Sequence, residues 1–191
     1  SGIAAPLIRA NIDTDAIIPS REIKGVAKTG LADGLFAGWR YLEGRTPDPD
    51  FILNQPRYAH APILLGGTNF GCGSSREHAV WALHDYGVRA VIAPSFAPIF
   101  QSNCVRNGII PVVLDAGLIA QLGDMVAIDL RGQTVSSNEV TVAFEIDAEA
   151  KAMLAEGLDA IDLTLKHTAV INQFLAADKA ARPWIYLETT A

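Results

Sequence analysis

The sequence predicts an α/β fold built on a parallel βαβαβ unit, and three observations carry that prediction. Between residues 62 and 114 short apolar runs alternate with stretches of helical period. Past Asp115 the pattern changes to segments of alternating polarity, which suit antiparallel strands. A glycine-rich turn, Gly71-Cys72-Gly73-Ser74-Ser75, joins the first strand of the unit to its first helix. Residues 62–65 read as a buried strand, 75–86 as a helix, 88–93 as a strand, 97–107 as a helix and 109–114 as a strand. The 75–86 helix shows a clear face: Ala79, Ala82, Leu83 and Tyr86 share one side, Arg76, Glu77, His84 and Asp85 lie elsewhere, and Gly87 stops it. Residues 125–130 and 139–146 read as antiparallel strands joined across Gly132 and Ser136-Ser137-Asn138, and helices follow at 148–154 and 161–177. The first 60 residues show no sustained period. After Ile17-Ile18-Pro19, residues 20–56 are rich in Gly, Pro and isolated charges, the composition of a functional or mobile loop. The whole reads as one layered domain.

At 191 residues the chain can withdraw roughly 70% of its unfolded surface from water, so it needs no disulfide or structural metal. The 15 basic and 21 acidic side chains leave a net charge of −6, which opposes sequence-independent attraction to nucleic acid or to an anionic membrane face. Apolar runs such as 109–114 fall far short of the ~18 residues of a membrane span, and no charged leader precedes one, so a soluble cytoplasmic protein is expected. A start at Ser1-Gly2 rather than Met points to a trimmed or tagged chain. A hydrophobic content of 50% is high for a monomer of this size and points to surface buried against a partner.

The chemistry concentrates in Gly71-Cys72-Gly73-Ser74-Ser75-Arg76-Glu77-His78. Glycines permit positive φ, the following helix start offers unpaired N–H groups, and two hydroxyls with a guanidinium add donors, which together make an anion site. The same string has the Ser-x-x-Glu form of a capping box from Ser74 to Glu77, and that purely structural reading stands beside the first. It leaves Arg76 unexplained, because a cation in a first helical turn opposes the dipole. The string fits neither a dinucleotide fingerprint, nor a Walker A loop, nor a nucleophile elbow. Asp13 and Asp15 form a second candidate, able to orient an arginine or a substrate hydroxyl, with an Asx or N-cap turn as the structural alternative. His60, His78, His84 and His167 lack ligand spacing, and Cys72 with Cys104 cannot supply a cluster, so no metal is expected on this chain.

Three motifs in this order, 13–19, 69–79 and 96–111, resemble the small-subunit family of bacterial 3-isopropylmalate dehydratase, which corresponds to the swivelling fourth domain of aconitase. The resemblance continues to Gly157-Leu158-Asp159 and Leu163-Thr164-Leu165. It implies a swivelling β/β/α domain over 1–191, with 20–56 as a substrate loop. It also implies reversible transfer of water between 2-isopropylmalate and 3-isopropylmalate through an unsaturated intermediate, in leucine biosynthesis. The cofactor implied is a [4Fe–4S] cluster on a separate large subunit, and the ligand a small dicarboxylate. By the same resemblance Ser74 is the general base, Ser75 and Arg76 contact substrate carboxylate, and Asp15 is the acidic residue of the site. An arginine that aconitases carry after the first motif has no match; an ungapped count lands on Ala27. Ile23, Val26, Leu31 or Leu35 would suit an isopropyl group, whereas Arg21, Lys24 and Lys28 suit more acidic substrates, so hydratases of citraconate, dimethylmaleate or homoaconitate are alternatives. A rival of another class is a carboxylate- or phosphate-binding module without chemistry.

Overall fold

The computed structural model describes residues 1–138 and 140–186. In chain order it contains β1 (Gly2–Leu7), α1 (Thr14–Ile17), α2 (Ala37–Arg40), β2 (Ile63–Gly66), α3 (Glu77–Tyr86), β3 (Ala90–Ala93), α4 (Pro98–Arg106), β4 (Ile110–Val113) and α5 (Ala116–Ile119). Then come β5 (Met125–Asp129), β6 (Thr134–Ser136), β7 (Thr141–Ala143), α6 (Ala148–Glu156), α7 (Ala160–Leu165) and α8 (Thr168–Ala181). The seven strands run β4-β3-β2-β1-β5-β6-β7. Pairing is parallel from β4 to β1 and antiparallel from β1 to β7, so the expected βαβαβ unit is β2-α3-β3-α4-β4.

Alternate residues of the parallel strands enter two separate cores, as the period of two along a strand requires. Ala5, Leu64 and Val91 face a side closed by Ile17, Ala79, Val80, Leu83, Phe100 and Cys104, on α1, α3 and α4. Ala4, Ile63, Leu65, Ala90 and Ile92 face the other side, closed by Ile119 of α5 and by Val126, Val135 and Phe144. The antiparallel end of the sheet therefore curls over its parallel part, and the layers are strand, strand and helix, as expected. Burial pushes the Cys104 thiol well above the usual range, consistent with a packing role for this residue.

β1 is the most central of the elements that sequence reading misses. Being central, it is buried on both sides and shows no alternation of polarity. Its proline is tolerated for a geometric reason. Ala4, two residues before Pro6, donates to Asp124 O at 2.8 Å on the β5 side, while pairing with β5 ends at Ile3. The N–H that Pro6 lacks thus faces an edge its neighbour has already left. β6 escapes notice because three residues are too few to display a period. The single helix expected over 161–177 is two, α7 opening on a capping box between Asp159 and Asp162, and α8 beginning after His167. The strand expected at 139–146 begins at Thr141, and Glu139 lies outside the described residues.

Between 20 and 56 only single helical turns form, and much of the segment is nevertheless packed: Leu31, Leu35, Phe36, Ala37, Phe51 and Leu53 are buried. It is pinned to α3. Asp85 Oδ2 accepts from the backbone of Leu31 at 2.7 Å and Ala32 at 2.9 Å, and the Tyr86 hydroxyl donates to Leu53 O at 3.1 Å. Residues 24–30 are exposed throughout. Because Asp85→Ala strands two backbone donors, it should lower unfolding stability by about 1–3 kcal/mol in urea titrations and speed amide exchange at 31–32 above all.

Candidate active site

Three connections leave the carboxyl ends of adjacent parallel strands and converge there: residues 8–15 after β1, 67–76 after β2, and 94–100 after β3. In a sheet of this kind that edge is where ligands are held. Gly71 N donates to Ile12 O at 2.7 Å, and Thr14 N donates to Cys72 O at 2.9 Å, so the two earlier connections run side by side like a short ladder. Thr14, 1% exposed, donates its hydroxyl to Ser74 O at 2.9 Å. That carbonyl also accepts from Arg76 N at 2.7 Å.

Gly71 and Gly73 make this approach possible. Both have positive φ, +76° and +89°, and a Cβ at Gly71 would lie 2.0 Å from the Phe100 ring. Asn11 and Asn69, the only other left-handed residues in these two connections besides glycine, are tied to each other by a 2.8 Å bond from Asn69 Nδ2 to Asn11 Oδ1.

With its backbone clamped, the turn turns its side chains outward. Ser74 and Ser75 are exposed, and with Thr14, Arg76, Pro98, Ile99 and Asn103 they line a cleft of ≈ 210 Å³. A larger groove of ≈ 680 Å³ between α4 and α6 carries Glu145, Asp147 and Glu149 against Arg106, a balance poorly suited to an anion. The helix start differs from the sequence reading. α3 begins at Glu77, Arg76 is its N-cap in extended conformation, and no side chain caps it. The capping box of Ser74 does not form, because Glu77 Oε1 instead accepts from Asn107 Nδ2 at 2.8 Å.

Arg76 is paired with Asp15 across the two connections, so the aspartate does orient an arginine. The side chains are 28% and 56% exposed, which makes the pair worth at most about 1 kcal/mol and gives it an orienting role more than a stabilising one. Asp13 takes the structural alternative instead: its carboxylate caps α1 by accepting from Ala16 N at 2.6 Å. The structure brings Ser74, Ser75 and Arg76 to one cleft, with Asp15 paired to Arg76. Sequence reading misses Thr14, whose partner lies 60 residues away and leaves no local signal.

The aconitase C-terminal domain family model matches residues 1–117. A 3-isopropylmalate dehydratase small subunit from Cupriavidus necator is 55% identical, covering 98% of this chain and 96% of its own length. The corresponding subunit of Agrobacterium fabrum is 49% identical, with 96% of each chain covered. The chain belongs to the 3-isopropylmalate dehydratase small-subunit family. A crystal structure of 3-isopropylmalate dehydratase from Methanocaldococcus jannaschii superimposes with a TM-score of 0.68 at 30% identity, covering 90% of this chain and 96% of that one. Membership in a family of small subunits implies a large-subunit partner. Among the described residues no helix is long and apolar enough to cross a membrane.

The residues considered for specificity in this family member separate by burial. Leu31 and Leu35 are 5% and 0% exposed and pack within the core. Val26 is 94% exposed on the 24–30 stretch, and Lys28 of the same stretch lies over Trp81 and donates to Asn107 Oδ1 at 3.3 Å. Since Gly71→Ala combines left-handed strain with a clash against Phe100, it should lower stability by about 2–4 kcal/mol, read as a fall in denaturant midpoint with unchanged slope.

Proposed function

We propose that this chain supplies the proton-transfer and carboxylate-binding half of a 3-isopropylmalate dehydratase, interconverting 2-isopropylmalate and 3-isopropylmalate in leucine biosynthesis once docked on a large subunit. One observation carries the reading: exposed Ser74 and Ser75 hydroxyls share a cleft with a guanidinium held by Asp15. In this scheme Arg76 holds a substrate carboxylate through its remaining N–H donors, Ser75 donates to the same group, and Asp15 keeps the guanidinium plane fixed. Ser74 Oγ takes the proton from the carbon beside that carboxylate and returns it on rehydration.

Serine is a weak base. A helix terminus contributes at most ~2 kcal/mol, equal to roughly 1.5 pH units, and exclusion of water alone disfavours the alkoxide, so the Arg76 charge, acting more strongly once docking dries the cleft, must supply the rest. Loss of hydroxide calls for a Lewis acid. This chain does not fit a [4Fe–4S] cluster of its own, since Cys104 is sealed in the core and leaves Cys72 as the accessible thiol. We assign the cluster to the large subunit. The setting proposed is the cytoplasm, and the net charge of −6 disfavours nucleic acid and anionic membranes as partners.

Assembled with a cluster-bearing large subunit, Ser74→Ala should lose about 10²–10⁴-fold in kcat, whereas Arg76→Lys should chiefly raise KM. The isolated chain should not turn over isopropylmalate. Full turnover by the Ser74→Ala complex would overturn the base assignment and leave the anion-binding reading. The mobility proposed for the substrate loop belongs to 24–30, where nothing is buried; amide exchange there should be fast in the isolated chain and slow in the complex with diacid.

A further inference from the structure

Beside Ser74, Ser75 and Arg76, the same cleft is lined by Ile99, Phe100 and Asn103 of α4. Asn103 and Thr14 are the two buried polar side chains among the described residues, and both line this cleft. Thr14 is satisfied by Ser74 O. Asn103 is only 6% exposed, and only its backbone is engaged, the carbonyl accepting from Asn107 N at 3.1 Å and Asn107 Nδ2 at 2.9 Å. Its carboxamide has no hydrogen-bond partner among the described residues. Although the residue as a whole is buried, its amide is not sealed from the cleft, since Ser137 Oγ is the one fully buried side-chain polar atom without a partner among the described residues; the Asn103 donor is therefore free to pair with a polar group that enters.

The surroundings indicate what arrives. Helical side chains lean toward the N-terminus, so the Asn103 carboxamide lies over the turn of Ile99 and Phe100. That turn opens the nine-residue α4, whose N-cap Ala97 offers no side-chain cap, so the positive end of the helix faces the cleft. A cation with two hydroxyls on one wall and an uncapped helix end with an unpaired amide on the other suit a ligand with two anionic ends.

We propose that Asn103 is a further substrate-binding residue, its Nδ2 donating to the dicarboxylate's second carboxylate while Arg76 holds the first. This rests on the reading that the cleft takes a dicarboxylate. In the complex with a cluster-bearing large subunit, Asn103→Ala should raise KM about tenfold, the loss of one hydrogen bond to a charged group, with a smaller change in kcat. Asn103→Asp keeps the size but sets an anion against an anion, and should raise KM further. A role in packing alone would instead lower melting temperature in both variants without that order in KM. Should the variants fail to fold or assemble, the unaltered complex decides: with its small subunit ¹⁵N-labelled at asparagine, the Asn103 side-chain resonances should shift on saturation with 2-isopropylmalate. KM within twofold of the unaltered enzyme in folded variants, or resonances that do not move, would overturn the proposal. An unaltered complex without turnover would refute the dehydratase reading, and a resonance shift in it would still support Asn103 as a ligand contact.

Discussion

Two chain segments nearly 60 residues apart lie against each other at the carboxyl edge of the sheet, and the site follows from how close they come. Ile12 O receives Gly71 N, Cys72 O receives Thr14 N, and Ser74 O receives the Thr14 hydroxyl. Only left-handed backbone at 71 and 73 allows that approach, and only glycine adopts it there without driving a Cβ into Phe100 or toward Asp13. Once the backbone hydrogen bonds are spent on holding the two segments together, the side chains of Ser74 and Ser75 have solvent as their only direction, and Asp15 comes within reach of Arg76. The turn is rigid in its main chain and open in its side chains for one and the same reason.

Arg76 at the N-cap of α3 would by itself oppose the positive end of the helix dipole. Asp15 neutralises part of that conflict at an exposed pair of small energetic weight, and leaves the guanidinium aimed with donors to spare. For the carboxylate proposed as its ligand the charge is already oriented, which would leave less ordering to be done on binding. The helix end of α4 on the other wall adds partial positive charge from a second direction. Both walls thus present hydrogen-bond donors and positive charge, which is the share of the chemistry proposed for this chain.

The high apolar content of the chain is distributed unevenly. The two cores on either side of the parallel strands absorb part of it, while Ile161, Val170, Phe174 and Trp184 remain exposed along α7, α8 and the turn beyond. α7 and α8 contain no buried residue, in contrast to α3, where four of ten are buried. Similar helical periodicity in the sequence therefore corresponds to opposite degrees of burial, because periodicity records which face is apolar and not what covers it.

Periods, glycine turns and contiguous motifs are local properties of a chain, so the βαβαβ unit, the face of α3 and the family are legible in the sequence, and the same motifs nominate Asp15, Ser74, Ser75 and Arg76. The tertiary structure decided what depends on partners distant in sequence. It put β1 at the centre of the sheet, where burial on both sides erases alternation. It paired Asp15 with an arginine 61 residues away, and diverted Glu77 from a capping box to Asn107. It also drew Leu31 and Leu35 into the core, and left Asn103 unpaired beneath the cleft, because hydrogen bonds between segments 30 or 60 residues apart compete with local ones on equal terms and leave no trace in the spacing of residues.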